Sequence, residues 1–541
     1  MAFGVLQSAR NPRPRGTVVL ESIPSTSSTG GGGRLDLILV PTPSPYPADP
    51  LNWSRIRKEL YFLTILFGAC LTGVIGPVLV PGFTIIVATF NVSLTQVTLL
   101  NGSLVMALGV SSYLCACLAE VTGKRPVFLA TSVLLVASSC WGAAAKSYGS
   151  LLAARIFQGL GMGSFFALAG TISINDVFFV HERGLRVGLW NSAVIASVNL
   201  APVISSHIIV NLGWPWAFWI LAISFGVLLV AVTLFFPETS YSRSVIEGEN
   251  LVLVDHGHRT SITGSNIPEK VPHQDSTAPY QQDRELQQGD SEQLNGSLTL
   301  SSLLHPCPAP LGSFVDFLKA VATPLLLLRH PATIWACVMW SVTFTWVIIQ
   351  GAVASQIFAY PPYNMTPTAV GNLIGIAPLI GSLLGTLIGG PLCDVAAVQL
   401  SSRNGGIYEP EFRLCAILVG GVVPFVVGAY GLGAAVAGGL SPATCGFFLA
   451  AINFAVGTSC TGIVAYSNDV FGEDAGEVFG LAMVVKSAFA FGLTFMFNDY
   501  YANHGPKVFF YTWGSLTVGA LLFGTAFLYV YGKRIRAWMD Q

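Results

Sequence analysis

The chain has 541 residues, 52% of them apolar and only 10% charged, where a soluble domain carries roughly 25% charged residues. That balance excludes a disordered chain and a disulfide-stapled secreted scaffold, and it argues against a soluble multi-domain enzyme. A net charge of −1 gives no reason to propose nucleic acid as a partner.

Charged residues cluster along the chain. Residues 1–60 hold 11, 237–330 hold 17 and 533–541 hold 4, while 21 are spread over the remaining 378. Two polar segments and a short tail thus flank two apolar blocks, and a bilayer suits such blocks because a charge at its centre costs several kcal/mol. Residues 1–58 are rich in Pro, Ser, Thr and Gly, with the run Gly30–Gly33 and no apolar core segment. They read as a disordered cytosolic tail without a cleavable signal.

A spanning helix needs about 20 mostly apolar residues. The first bundle, 59–236, offers six spans: 60–86, 97–118, 126–145, 150–174, 187–210 and 215–236. Residues 237–330 follow as a polar central loop, expected to be cytosolic and largely disordered. The second bundle, 331–532, offers six more: 332–357, 367–393, 412–435, 442–466, 476–497 and 507–531. Residues 533–541 complete the chain as a cytosolic tail. The fold expected is therefore an all-α membrane protein of 12 transmembrane helices in two parallel six-helix repeats. Gly and Pro inside the spans fit this solvent, because small residues let helix backbones approach.

Basic residues set the orientation. Arg55, Arg57, Lys58, Lys124, Arg125, Arg183, Arg186, Arg403, Arg413, Lys533, Arg534 and Arg536 fall on one side, against Lys146 and Lys507 on the other. Both termini are thus expected in the cytosol. Of the glycosylation sequons, Asn91-Val-Ser and Asn364-Met-Thr fall in outside loops and are usable. Most of the ten cysteines lie in apolar stretches, and no Cys/His cluster suggests a metal site.

A local match supports the repeat. Ala116-Cys-Leu-Ala-Glu120 and Gly390-Pro-Leu-Cys-Asp394 both read small-x-Leu-small-acid at the cytosolic end of the second span of their half. With these residues in view, the chain resembles the major facilitator superfamily, in its fungal twelve-helix drug:proton antiporter-like branch. Ala116–Arg125 is similar to that family's G-x-L-a-D-r-x-G-r-k loop, with Glu120 at the acid, Gly123 at the turn, and Lys124 and Arg125 at the basic pair. Ala116 and Val121 depart from it. Arg155-Ile-Phe-Gln-Gly-Leu-Gly resembles the branch's R-x-x-Q-G-x-G pattern. Asp49-Pro-Leu-Asn-Trp-Ser54, Pro237-Glu-Thr239 and Glu409-Pro-Glu-Phe-Arg413 look like its fungal members. The span-5 stretch Leu200-Ala-Pro-Val-Ile-Ser-Ser206 keeps Pro202 but replaces the antiporters' glycines.

The resemblance implies a cytosolic gate of Glu120, Lys124, Arg125, Asp176, Asp394 and Asp469, with Glu473 nearby. A cavity for substrate or protons is expected at Arg155, Gln158, Asn199, Gln350, Asn372, Asn453 and Lys486, with Trp340, Trp346 and Tyr360 as further lining. Lys486 lies near mid-bilayer, where a lysine must line water or meet a partner. No nucleotide-binding motif and no catalytic constellation is present, so neither an enzyme nor a cofactor is expected. The function expected is proton-coupled export of a small, weakly charged organic compound by a monomer in the cell membrane. A vacuolar or other internal membrane is the alternative site. Alternative functions are an importer of an organic cation, polyamine or nutrient, and a non-transporting receptor.

Overall fold

Helix boundaries follow the capping chemistry of the loops. Ser93 and Gln96 form a reciprocal capping box, while Ser147, Thr366 and Ser441 each accept a hydrogen bond from a first-turn amide. Gly123 (φ 87°) and Gly213 (φ 91°) each end one helix and begin the next, a backbone conformation that suits glycine. The computed structural model describes residues 5, 14, 16–19, 49–239 and 313–539, less a few side chains within them.

The principal helices are α1 (Arg55–Ile75), α2 (Leu94–Thr122), α3 (Lys124–Ala143), α4 (Tyr148–Ala167), α5 (Val180–Leu212) and α6 (Trp214–Phe235). After the central loop come α7 (Pro331–Phe358), α8 (Pro367–Arg403), α9 (Val423–Ala437), α10 (Pro442–Phe471), α11 (Ala475–Thr494) and α12 (Phe497–Gly519). Among the described residues, 11 helical stretches are long and apolar enough to cross a bilayer. The remaining principal helix, α4, has the length but carries Arg155, Gln158 and several glycines, which dilute its apolarity.

The repeat is visible in the packing. In the first half α2 packs on α4, α4 on α3, α3 on α6 and α1 on α5. The second half repeats this with α8 on α10, α10 on α9, α9 on α12 and α7 on α11. Between the halves, α2 meets α11 and α5 meets α8, again an equivalent pair. Small residues set the spacing. A Cβ on Gly159 of α4 would lie 2.3 Å from the Leu104 carbonyl of α2, and one on Gly381 of α8 would lie 2.1 Å from the Ala450 carbonyl of α10.

Several spans run differently from expectation. Helix α8 continues unbroken to Arg403, so Asp394 sits within a helix rather than in a loop. Both polar tails are partly ordered. Val18–Val19 form a strand antiparallel to Ile407–Tyr408, and the helix Thr525–Met539 carries the C-terminal tail into buried contact, with Lys533 and Arg536 almost inaccessible. The central loop ends in a capped helix, Phe314–Ala322, whose Val321 and Ala320 carbonyls accept from the Tyr113 hydroxyl (2.6 Å) and the Cys117 thiol (3.3 Å) of α2. The rest of residues 1–48, residues 240–312 and residues 540–541, expected to be mostly disordered, lie outside the described residues.

Gly381→Ala should push α8 and α10 apart, at a cost of about 1–3 kcal/mol typical of overpacking. Thermal unfolding in detergent should show the lowered midpoint. Gly492→Ala, with open space around its Cβ position, should leave it unchanged.

Candidate functional site

Helix α1 breaks at Gly76–Pro77, where a proline without an N–H interrupts the hydrogen-bond ladder. The Ile75 and Gly76 carbonyls at this break accept from the Arg155 guanidinium at 2.9 and 3.1 Å. The same guanidinium donates to Asn101 Oδ1 of α2 (2.7 Å) and to Gln158 Oε1 (3.0 Å), and Gln158 Nε2 donates to Ser139 Oγ of α3 (3.1 Å). Arg155 is 0% exposed, and its recorded oxygen partners are neutral. The planar fork of arginine ties α1, α2 and α4 together, with α3 joined through Gln158.

On the face that carries the basic loops, ions pair within each half. Lys124 pairs with Asp176, and the Lys124 and Arg125 amides at the α3 N-terminus donate to the Glu238 carboxylate at 3.0 and 2.9 Å. Arg125 also donates to the Thr233 carbonyl (3.1 Å). A carboxylate there meets both unsatisfied amides and the positive end of the helix dipole. Arg186 holds Glu59 through two bonds of 2.5 Å. In the second half Arg413 bridges Asp394 (3.0 Å) and Asp469 (2.7 Å), and Tyr408 donates to Asp469. Burial, with the Asp469 carboxylate beside it, pushes the Tyr408 phenol well above its usual range, so it remains a donor.

A second ionic cluster is fully buried. Lys533 pairs with Glu409 (2.6 Å), and Arg536 pairs with Glu409 (2.8 Å) and Glu411 (2.7 Å). Thr17 completes it, donating to Glu409 (2.8 Å) and accepting from Arg536 (3.1 Å). The segment expected to be a free N-terminal tail thus supplies a ligand to the second half.

Glu120 of α2 stands apart from these clusters. It is exposed and within electrostatic range of Glu477 on α11, so two like charges face each other across the junction of the halves. The side chain of Glu473 is not among those described.

The halves are clasped towards the opposite face. Asn498 of α12 donates to Thr98 of α2 (2.7 Å), Thr95 donates to Asp499 (3.0 Å), and Ser355 of α7 donates to the Val80 carbonyl (3.0 Å). Gly371 and Gly375 of α8 abut Pro202, Ser206, Val203 and Asn199 of α5. Asn199 also donates to Ser382 (3.1 Å). Asn91 and Asn364, both exposed with positive φ (51° and 46°), lie in loops on this face.

Between the two faces, α7, α10 and α11 bring Gln350, Asn453 and Lys486 to one half. Asn453 Nδ2 donates to Gln350 Oε1 (3.0 Å). Lys486 Nζ lies over the rings of Phe344 (3.7 Å to the centroid) and Trp340 (5.8 Å). Asn372 is half-buried near the start of α8. The structure does not bring all the expected cavity residues together. Arg155 and Gln158 belong to the brace within the first half, and Trp346 is a core residue, 0% exposed, donating to Thr517 (2.9 Å).

Sequence reasoning used Arg413 and Arg186 only for orientation and gave no role to Glu59, Glu238, Glu409 or Glu411. The motifs Pro237-Glu-Thr239 and Glu409-Pro-Glu-Phe-Arg413 already singled out three of those acids.

Two equivalent six-helix halves, joined through symmetric helix pairs and holding polar groups between their faces, define a multi-pass membrane transporter rather than an enzyme. The chain belongs to the Major Facilitator Superfamily, whose family model matches residues 60–494. It is 24% identical over 531 residues to the uncharacterized MFS-type transporter C1271.10c of Schizosaccharomyces pombe, covering 93% of this chain and 88% of that one. It is also 24% identical over 237 residues to citrate exporter 1 of Aspergillus niger, covering 39% of this chain and 45% of the other. Among solved structures, a D-xylose–proton symporter superposes with a TM-score of 0.57 at 15% identity, covering 87% of this chain and 97% of that one. That likeness is one of fold.

Arg155→Gln should leave the Ile75 and Gly76 carbonyls short of donors, at a cost of about 1–3 kcal/mol for each buried group left unmet. Arg155→Lys should not rescue stability, because an ammonium cannot reproduce the fork. Detergent-solubilised protein should unfold at a lower temperature in both variants.

Proposed function

We propose that this chain is a secondary active exporter that moves a small organic compound out of a fungal cell by proton antiport. The observation that carries the reading is the one-sided clasp. Hydrogen bonds between the halves gather towards the face opposite the basic loops, while at the basic face the ion pairs sit within each half, the halves meet through the apolar cluster of Tyr113, Cys117 and Leu481, and Glu120 is within electrostatic range of Glu477. With basic loops facing the cytosol, this is a carrier closed outside and ready to open inside.

In this reading Lys124–Asp176 and the Asp394–Arg413–Asp469 bridge latch helix ends within each half, so each half moves as a body. Arg125 and Glu120 complete the cytosolic rim. Asn199, Gln350, Asn372, Asn453 and Lys486 line the path, and Arg155 with Gln158 keeps the broken α1 rigid beside it. Both termini are cytosolic, the membrane is the cell membrane, a monomer suffices, and Asn91 and Asn364 accept glycans outside. One relative is named a citrate exporter, which supports the outward direction.

Inside-out vesicles made acid inside should accumulate at least one member of a panel of radiolabelled small metabolites, and a protonophore should abolish the accumulation. Accumulation insensitive to the protonophore would refute proton coupling, and accumulation only in right-side-out vesicles would refute export.

A further inference from the structure

Lys486 is a buried cation in α11 with 4% of its surface exposed. Among the described residues its ammonium has no ion pair and no hydrogen bond, and its recorded neighbours are the ring faces of Phe344 and Trp340. The Cys460 side chain of α10 is also within electrostatic range. Ring faces attract a cation, but less than the cost of holding an unpaired charge inside a bilayer. The deficit distinguishes Lys486 from Lys533, which is equally buried but paired with a carboxylate.

An amide pair in the same half offers an unmet donor. On α10, Asn453 lies two turns from Cys460, about 10 Å along the axis at 1.5 Å per residue. Its partner Gln350 uses Oε1 to accept from Asn453, and its Nε2 is buried with no partner among the described residues. The second half therefore presents a cation over two flat rings and, beside Asn453 two helical turns from Cys460, an unmet amide N–H.

We propose, resting on the transporter reading, that Lys486 binds the ionised acid group of the cargo. The cargo class is then a small organic acid whose flat apolar body lies on Phe344 and Trp340 and whose far end offers a hydrogen-bond acceptor to Gln350. A carboxylate at Lys486 supplies the missing counter-charge, while an organic ammonium would add a second cation beside the first. The geometry thus selects against polyamines and favours anions.

The test uses the purified full chain in detergent and in proteoliposomes, with benzoate and decanoate as anionic probes, benzamide as a neutral one and benzylammonium as a cation. Binding is read by the shift in thermal midpoint and by displacement of radiolabelled benzoate. Benzoate or decanoate should bind the wild type at least tenfold more tightly than benzamide, Lys486→Met should lose that preference, and Lys486→Arg should keep it. In the absence of ligand, Lys486→Met should unfold at a higher temperature than wild type, because an unpaired cation has been replaced by an apolar chain of similar shape. A purely structural lysine would give the reverse. The proposal is overturned if no anion binds, if Lys486→Met binds anions as the wild type does, or if benzylammonium binds best. Anion binding that survives in protein unable to move any compound across proteoliposomes would refute the transport reading and leave the anion site standing.

Discussion

Hydrocarbon does not solvate ions, and the arrangement of this chain is organised around that constraint. Each buried charge must be met by protein, because several kcal/mol of lost hydration has no other compensation. Three solutions appear. Lys533, Arg536, Glu409 and Glu411 neutralise one another. Arg155 is met by neutral oxygens, two of them backbone carbonyls at the break in α1. Lys486 is met mainly by aromatic rings. The first two meet the charge with acids or with several hydrogen bonds, and they brace the helices that supply them. The third is incomplete, and incompleteness is what a binding group requires.

Close packing within the halves and the placement of the hydrogen bonds between them belong together. Within a half, glycines bring backbones so close that Gly381 and Gly385 of α8 leave no room for a Cβ against α10. Such packing does not deform gradually. At the junction, hydrogen bonds gather towards one face, through Asn498–Thr98 and Ser355–Val80, while close packing continues towards the other, through Gly109 against Ser487 and the buried cluster of Tyr113, Cys117 and Leu481. Two closely packed bodies whose mutual hydrogen bonds lie towards one face suit the two-state exchange that the proposed alternating access needs.

Much of this was legible in the sequence. Apolar spans, the positions of Lys and Arg and the paired motifs around Glu120 and Asp394 located the twelve helices and the repeat, because bilayer thickness and the cost of charge act on short stretches of chain. What was not legible depends on partners far apart in sequence. Glu409 meets Arg536, Thr17 reaches Glu409, and Arg155 reaches the break in α1, none of which a local pattern encodes. The tails misled for the same reason. Their composition is polar, yet Val18–Val19 pair with Ile407–Tyr408, and Lys533 and Arg536 point into a cluster of acids instead of into water.

Arg155 and Lys486 began as equivalent clues, two cations deep in apolar spans. Their environments separate them. A guanidinium offers five N–H groups in a plane, and four helices in this half converge on it and on its neighbour Gln158. An ammonium is a compact point of charge, and α7 and α11 place it between rings that attract it without neutralising it. The first arrangement already makes four hydrogen bonds through its two terminal nitrogens, which an entering anion would have to displace. The second gains a counter-charge when an anion arrives and loses it on departure. On the proposed reading, cargo changes the free energy of the second arrangement, while the first braces the helices around Arg155.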